Sequence, residues 1–429
     1  MSAHLRKAQF GWCLYDWANS AFATVILAAV LPVYFVSLVP ADGATLSLHV
    51  AHRFSASSLW GYSVSLSMLV LAITAPAMGA LADRRGWHRR LLVQFCLFGC
   101  VATMLLATTG PGDYLLAALL FIFANIGFAG GNIFYNAYLP LLAETAEADR
   151  LSARGFAYGY IGGGLLLALV FLLILKFDQF GFVDRGAATR IGFLLTGSWW
   201  LIFSIPTFLF LPKTEKNPAP RPAFSLKSYL AQFRQIVHYR DLCLFLIAFL
   251  CYNDGVQTVI TVSAVFAREE LHLGQGTIIG CFLMIQFLAM PGALLFGRLA
   301  ERIGAARSIM LSLVTFTLVC VVAYRMTTSL EFWLLGGVIA IILGGSQAIS
   351  RSLFATMVPK HKSAEFFGFF AISNKFASIF GPLLFALVAD LTGSSRNSIL
   401  ALGSFFIVGG VLLALVNVTR GREMAQEER

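Results

Sequence analysis

The chain has 429 residues, of which 58% are hydrophobic and only 12% are charged, and it carries a formal net charge of +10. So few charged residues exclude a soluble protein of this length, because its surface would lack the groups that keep it dissolved. The excess of positive charge does not indicate nucleic-acid binding, since basic residues of membrane proteins collect on the cytoplasmic side. The composition therefore predicts an integral, all-α membrane protein.

Twelve apolar segments are each long enough to cross a hydrocarbon layer of roughly 30 Å as a helix. In chain order these segments cover residues 9–39, 57–82, 90–109, 113–142, 155–176, 190–212, 241–266, 275–300, 305–326, 331–358, 364–391 and 395–418. With the N-terminus inside, most of the 31 Lys and Arg residues fall in cytoplasmic segments. The even number of helices then places both termini in the cytoplasm. A predicted cytoplasmic loop with Glu144, Glu147 and Asp149 is a local acidic exception.

An internal repeat divides the chain. The sequence GALADRRG at residues 79–86 recurs as GRLAERIG at residues 297–304, each time between two apolar segments. Such a repeat predicts two similar six-helix bundles, in residues 1–212 and 241–429, the second ending in a short cytoplasmic tail. Residues 213–240 are predicted to be a cytoplasmic linker with an amphipathic helix. This organisation resembles the major facilitator superfamily, in which the substrate site lies between the halves near the middle of the membrane.

The repeated motif also predicts a gate at the cytoplasmic edge. Gly79 lets its helix approach a neighbour closely, and Asp83 can face helix N-termini and basic groups. Positive-inside anchoring is the alternative, but it does not explain an acid in both copies of the motif. The predicted gating residues are Gly79, Asp83, Arg84, Arg89, Arg90, Glu301 and Arg302.

Four ionisable residues fall inside the predicted spans: Asp16, Asp254, Arg351 and Lys375. Each costs at least ~2.5 kcal/mol to insert, so each needs a partner or a wet cavity. Asp254 and Lys375 have similar depths, as do Asp16 and Arg351. We predict a buried Asp254–Lys375 ion pair that loosens when a substrate or a proton competes for one member; a static pair is the alternative. For Asp16 we predict either a role in coupling or substrate binding, or a structural partner such as Arg154 or Arg351.

Uncharged polar residues accompany these four, and such groups seldom face lipid. Asn132, Tyr135 and Asn136 share one helix face because they are spaced i, i+3 and i+4. Hydrogen bonding between helices is the competing interpretation. The full predicted substrate or coupling set is Tyr15, Asp16, Asn19, Asn132, Tyr135, Asn136, Asn253, Asp254, Gln257, Gln347, Arg351, Asn374 and Lys375.

The sequence contains no residue pattern typical of a catalytic or metal-binding site. The seven cysteines lie in apolar segments without CxxC spacing, and the seven histidines fall in predicted loops or termini. We therefore predict no enzymatic activity, no metal and no cofactor. The expected partners are a small-molecule substrate, protons and membrane lipids, with no nucleic acid, and the expected state is a monomer.

Several segments are similar to the vacuole-effluxer family of the major facilitator superfamily. They are YDWANSAF at residues 15–22, GFAYGYIGG at 155–163, YNDGV at 252–256, SRSLF at 350–354, FFG at 366–368, Lys375 and Gly381-Pro382. The resemblance implies a secondary transporter, and fungal members are associated with amino-acid release from the vacuole during autophagy. The compact loops favour a prokaryotic cytoplasmic (inner) membrane.

The predicted function is therefore alternating-access transport of a small polar solute such as an amino acid, with the proton as a candidate coupling ion. The sequence leaves the direction open between efflux and import. Arg351 or Lys375 would bind the carboxylate, and Asp16 or Asp254 the ammonium group. A carrier of monocarboxylates or other organic anions is the nearest alternative. A lipid flippase or a non-transporting membrane sensor are the others.

Overall fold

The computed structural model describes residues 3–40, 56–215, 238–273, 275–376, 380–392 and 395–427. α-Helices make up nearly all of this part of the chain. In chain order they are α1 (Ala3–Ala21), α2 (Leu31–Leu38), α3 (Ala56–Arg85), α4 (His88–Leu105), α5 (Tyr114–Ala137), α6 (Leu139–Leu142), α7 (Thr145–Leu175), α8 (Arg185–Phe210), α9 (Arg240–Glu269), α10 (Gln275–Ile303), α11 (Ala305–Arg325), α12 (Ser329–Thr356), α13 (Ser363–Phe376), α14 (Phe380–Thr392), α15 (Ser395–Ala414) and α16 (Val418–Glu427). The predicted amphipathic helix of the linker lies outside the described residues, as do the side chains of Asn374 and Lys375.

The described helices confirm a membrane-spanning all-α protein. Ten of them are long and apolar enough to cross a membrane, and the bent first segment makes an eleventh. The predicted segment 364–391 is covered by α13 and α14, with residues 377–379 between them outside the description. The helix content is therefore compatible with the twelve predicted spans.

The first span is not the single straight helix predicted over residues 9–39. After α1 the chain continues as a π-helical stretch, Phe22–Ala29, and then bends by 44° into α2. The wider winding shows in the bond from the Val30 amide to the Val25 carbonyl, five residues back (2.8 Å). Pro32 contributes to the break, because it has no N–H to donate to the preceding turn.

The acidic segment predicted as a loop is instead largely helical. Glu147 and Asp149 lie in the first turns of α7, which begins about ten residues before the predicted span. Acids are favourable there because the exposed N–H groups of a helix N-terminus carry partial positive charge. The helix therefore extends the span beyond its apolar part, which hydropathy alone does not detect.

Contacts divide the chain into two compact units. The first comprises residues 1–75, 85–135 and 158–216, and the second comprises residues 76–84, 136–157 and 217–429. In the first, α8 packs against α1 and α4; in the second, α12 packs against α10, and α15 against α9 and α11. The second unit thus includes two segments that precede the linker. The predicted bundles 1–212 and 241–429 stay a prediction.

Candidate functional site

A buried amide pair joins α1 to α5 in the first unit. The Asn19 amide donates from Nδ2 to Oδ1 of Asn132 over 2.6 Å, and Asn19 is only 3% exposed. A hydrogen bond between two helices in this setting holds both side chains in one orientation. The structure therefore brings together two of the predicted polar residues.

Aromatic packing supports this pair. Tyr135 stacks on Trp12 with ring centroids 4.6 Å apart and lies 4.9 Å from the ring of Tyr15. The Trp12 indole N–H also donates to the Tyr135 carbonyl (2.9 Å). Tyr15 and Tyr135 are almost completely buried, so in this conformation they hold α1 against α5 rather than meet a solute.

We expect the two asparagines to be energetically coupled. Asn19→Ala or Asn132→Ala alone leaves one buried amide without its partner, which costs about 1–3 kcal/mol, whereas the double variant removes both groups. Thermal unfolding of the two single variants and the double variant should therefore show a less than additive loss. Additive losses in melting temperature would contradict the coupling.

Asp16 is also buried on α1, at 9% exposure. A Cβ on Gly159 of α7 would lie 3.3 Å from the Asp16 carbonyl oxygen, so α7 packs closely on α1 at this point. The partners considered for Asp16 from the sequence, Arg154 and Arg351, belong to the second unit. Pairing of Asp16 with either of them stays a prediction.

Arg351 in α12 makes several described contacts within the second unit. Its Nε donates to the Ser152 hydroxyl and its Nη2 to the Ser152 carbonyl, each over 2.9 Å. Its Nη1 donates to Oδ1 of Asn136 over 3.4 Å, and its Cζ lies 4.2 Å from the ring centroid of Phe156. Asn136, Ser152 and Phe156 precede the linker, whereas Arg351 follows it. One guanidinium therefore joins segments from the two sides of the linker.

Ser350, the residue before Arg351 in α12, is hydrogen-bonded to α9. The hydroxyls of Tyr252 and Ser350 are 2.6 Å apart, and Ser350 donates to the Ser346 carbonyl over 2.6 Å. Asn253 is buried, while Gln257 and Gln347 are half-buried. The Tyr252–Ser350 bond therefore joins α9 to α12 in the second unit.

The Asp254 side chain, on α9, contacts the backbone of α14. Its Oδ1 accepts a hydrogen bond from the Gly381 backbone amide over 2.9 Å, and its side chain is buried. A backbone N–H donor of this kind stabilises a buried carboxylate. The predicted pair with Lys375 stays a prediction, because that side chain lies outside the described residues.

Asp83 lies at the N-terminus of α13, the kind of environment that the sequence predicted for it. Its two carboxylate oxygens accept hydrogen bonds from the amides of Ala364 (3.1 Å) and Glu365 (2.9 Å). Gly79, one turn earlier on α3, lies directly against the same backbone, since an added Cβ would come within 2.4 Å of the Ala364 carbonyl oxygen. The repeated motif thus packs α3 closely on the first turn of α13.

The second copy of the motif has a different environment. Glu301 is exposed and forms an ion pair with Arg150 at 3.7 Å. A Cβ on Gly297 would lie 2.6 Å from the Cβ of Ala153 in α7. Arg302 is exposed. The two copies therefore share the close approach of a glycine but not the buried acid.

The basic residues predicted to complement Asp83 make other contacts. Arg89 donates to the Leu211 carbonyl over 3.2 Å, and Arg90 lies 5.0 Å from the centroid of the Trp87 ring. Arg84 is exposed. Their gating role stays a prediction.

Sequence reasoning missed Asp149, Ser152 and Asp241. Asp149 is buried and hydrogen-bonded to the Ser352 hydroxyl of α12. Asp241, 1% exposed, is bonded to the last described helix. The signal that could have identified both acids is their position near a helix end that the charge distribution predicts to be cytoplasmic, where Lys and Arg are favoured. Among the described residues, His, Cys, Asp and Glu side chains form no group of three that could bind a metal.

Solved structures of similar fold identify the fold of this chain. The human organic anion transporter MFSD10 (TETRAN) matches with a TM-score of 0.74 at 16% identity, over 96% of this chain and 100% of that one. The E. coli fucose:proton symporter FucP matches with a TM-score of 0.69 at 13% identity, over 97% and 98%. The fold is therefore that of the major facilitator transporters.

Sequence comparison then identifies the family. The chain belongs to the family described as "Vacuole effluxer Atg22 like", whose model matches residues 4–426. The MFS-type transporter YxiO of Bacillus subtilis (strain 168) is 34% identical over 432 residues, covering 100% of this chain and 99% of that protein. Autophagy-related protein 22-1 of Phaeosphaeria nodorum is 26% identical over 533 residues, covering 99% and 92%. The resemblance predicted from the sequence motifs is confirmed.

Proposed function

We propose that this transporter moves an amino acid across the cytoplasmic membrane by alternating access, in the direction of efflux and coupled to protons. Both termini are cytoplasmic in this proposal, the protein acts as a monomer, and it has no enzymatic activity. The observation that carries alternating access is the pair of hydrogen bonds from α13 to Asp83. They connect a motif that precedes the linker to a helix that follows it.

The contacts of Asp83 and Arg351 support closure of the cytoplasmic side in this conformation. Both residues lie in or near segments that the charge distribution assigns to that side. Asp83 joins residues 76–84 to α13, and Arg351 joins residues 136–157 to α12; both of these helices follow the linker. A transporter that exposes its site to the cytoplasm must break these contacts and re-form them in every cycle, so they act as a gate.

The chemistry of the buried polar residues supports a zwitterionic solute. Asp16 and Asp254 are carboxylates suited to an ammonium group, and Arg351 is a guanidinium suited to a carboxylate. A carboxylate binds a guanidinium more strongly than the Ser152 hydroxyl and Asn136 amide that Arg351 contacts here. Substrate arrival can therefore exchange one set of Arg351 contacts for another.

We expect Asp254 to be the proton-coupling residue, and Asp254→Asn tests this. The asparagine Oδ1 can still accept from the Gly381 backbone amide, so this hydrogen bond is kept while the ionisable group is lost. Flux in proteoliposomes should then lose its dependence on an imposed pH gradient, while thermal stability stays close to that of the wild type. Thr258→Val is a matched control, because it removes a neighbouring hydroxyl that donates to the Asp254 backbone carbonyl. A variant that still accumulates substrate along the proton gradient would contradict the assignment.

A ligand screen by thermal shift tests the substrate class. The purified protein would be heated with amino acids, small carboxylates, sugars, nucleosides and lysophospholipids, at mildly acidic and mildly alkaline pH. A ligand that binds the folded state raises its apparent stability. Stabilisation by amino acids, lost in Arg351→Gln, would support the proposal and lead to flux measurements with the same compounds.

Other outcomes would replace the proposed substrate. Stabilisation by carboxylates alone would indicate an organic-anion carrier, and stabilisation by lysophospholipids alone would indicate a flippase. An amino acid that binds but shows no flux would indicate a sensor.

A further inference from the structure

The last described helix, α16, is docked on the second unit by a buried acid. Asp241, in the first turn of α9, accepts hydrogen bonds from the Asn417 amide (3.0 Å) and from Nε and Nη2 of Arg420 (2.6 and 2.9 Å). A guanidinium that binds a carboxylate through two donors forms one of the stronger and more directional polar contacts in proteins. These hydrogen bonds raise the pKa of the Arg420 guanidinium above its usual value.

Close packing adds to this docking. Gly421 is buried, and a Cβ there would lie 2.9 Å from the sulfur of Met357, the residue that follows α12. Ala425, one turn later, is also buried. Residues i and i+4 share a helix face, so α16 rests on the ends of α9 and α12 with a face of small residues.

Docking places Arg422 beside the gate. Its Nε donates to the Thr356 hydroxyl at the end of α12 (3.2 Å), and the buried carboxylate of Asp149 in α7 is bonded to the Ser352 hydroxyl one turn earlier on the same helix. Because residues i and i+4 share a helix face, the two opposite charges lie near each other and attract. Glu301 repels the Asp149 carboxylate. Arg422 is therefore a cation that opposes the repulsion between two acids at this contact.

We propose that α16 is a latch for the gate, and that Arg422 is its positioning residue. Asp241, Thr356 and α16 all follow the linker, so their contacts survive when the cytoplasmic side opens. Asp149 precedes the linker and moves away. The Arg422–Asp149 attraction is thus present only in the closed conformation and favours it. This inference rests on the alternating access proposed above, but its test requires no substrate.

Hydrogen–deuterium exchange of the full-length protein in lipid nanodiscs tests the latch. In Arg422→Gln, exchange at residues 145–152 should become about fivefold faster, the change that corresponds to the loss of about 1 kcal/mol of electrostatic attraction. Exchange within α16 should stay unchanged, because Arg420 still binds Asp241. Glu423→Gln is the matched control, since it changes a charge on an exposed position of the same helix.

Two further variants make the test decisive. Arg420→Gln should release α16 and accelerate exchange both there and at residues 145–152. Arg422→Gln should add nothing in an Asp149→Asn background, because the attraction is already gone. Wild-type exchange at residues 145–152 in Arg422→Gln would overturn the proposal, and so would a full additional effect in the Asp149→Asn background. Failure of amino-acid binding would affect the substrate assignment and leave this result intact.

Discussion

Gly79→Ala should reduce transport by about tenfold or more, because its Cβ would overlap backbone atoms that cannot rotate away. The three nearest are the Ala364 carbonyl oxygen at 2.4 Å, the Ala364 carbonyl carbon at 2.6 Å and the Glu365 Cα at 2.7 Å. Overpacking of this kind costs about 1–3 kcal/mol, which here falls on the closed conformation. Flux measurements would report the loss, and hydrogen exchange at residues 363–367 should become faster as Asp83 loses its hold on α13.

The internal repeat supplies a sharp comparison. In Gly297→Ala the clash is with the Ala153 Cβ, and the next nearest atom, the Asp149 carbonyl oxygen, is 3.7 Å away. Ala153→Gly should therefore restore activity to Gly297→Ala, whereas backbone atoms leave no such rescue for Gly79→Ala. Gly337→Ala is the tolerated control, since its nearest neighbour is the flexible Leu288 side chain at 3.7 Å. Full activity of Gly79→Ala would show that α3 and α13 need not approach this closely.

Arg351→Lys should be nearly as damaging as Arg351→Gln, with transport about 100-fold below wild type. A lysine ammonium is a single point charge and cannot reproduce both hydrogen bonds to Ser152 while stacking on Phe156. Loss of two charge-assisted hydrogen bonds costs about 3 kcal/mol, which corresponds to roughly 100-fold. Flux and thermal unfolding would be measured together, so that loss of folding is distinguished from loss of transport.

Ser152→Ala is the matched partner variant for Arg351. It removes the hydroxyl that accepts from Nε but keeps the backbone carbonyl that accepts from Nη2. A reduction of about tenfold is expected, and combining it with Arg351→Gln should add little. Normal transport by Arg351→Gln would refute a role for this residue in either the gate or the substrate site.

The sequence could predict the spans and the position of Asp83, because both follow from local patterns. Hydropathy identifies a segment long enough to cross the membrane, and an acid in a repeated motif at a helix end requires donors. The bend after Val30 and the early start of α7 were not predictable by hydropathy, since polar first turns and π winding leave its average almost unchanged.

Depth along a helix was insufficient to predict the contacts of Asp254. Depth compares the positions of charged side chains alone, whereas the Asp254 carboxylate accepts a hydrogen bond from the backbone amide of Gly381 in α14. Likewise, Ser152 lies in a segment of small and charged residues, and nothing local marks it as the acceptor for a guanidinium 199 positions later.

The docking of Asp241 has a consequence for how the protein is made. This carboxylate is at the start of α9, but its described donors come from residues 176 to 179 positions further along the chain. At a synthesis rate of about 5–20 residues per second, roughly 10 to 35 seconds separate the synthesis of Asp241 from the synthesis of these donors. Until residues 417–420 emerge from the ribosome, the acid near the start of α9 lacks these hydrogen-bond donors. In a chain that ends before that point, the start of α9 should stay exposed and open to proteolysis. A difference in proteolysis at this site would therefore distinguish a completed chain from a truncated one.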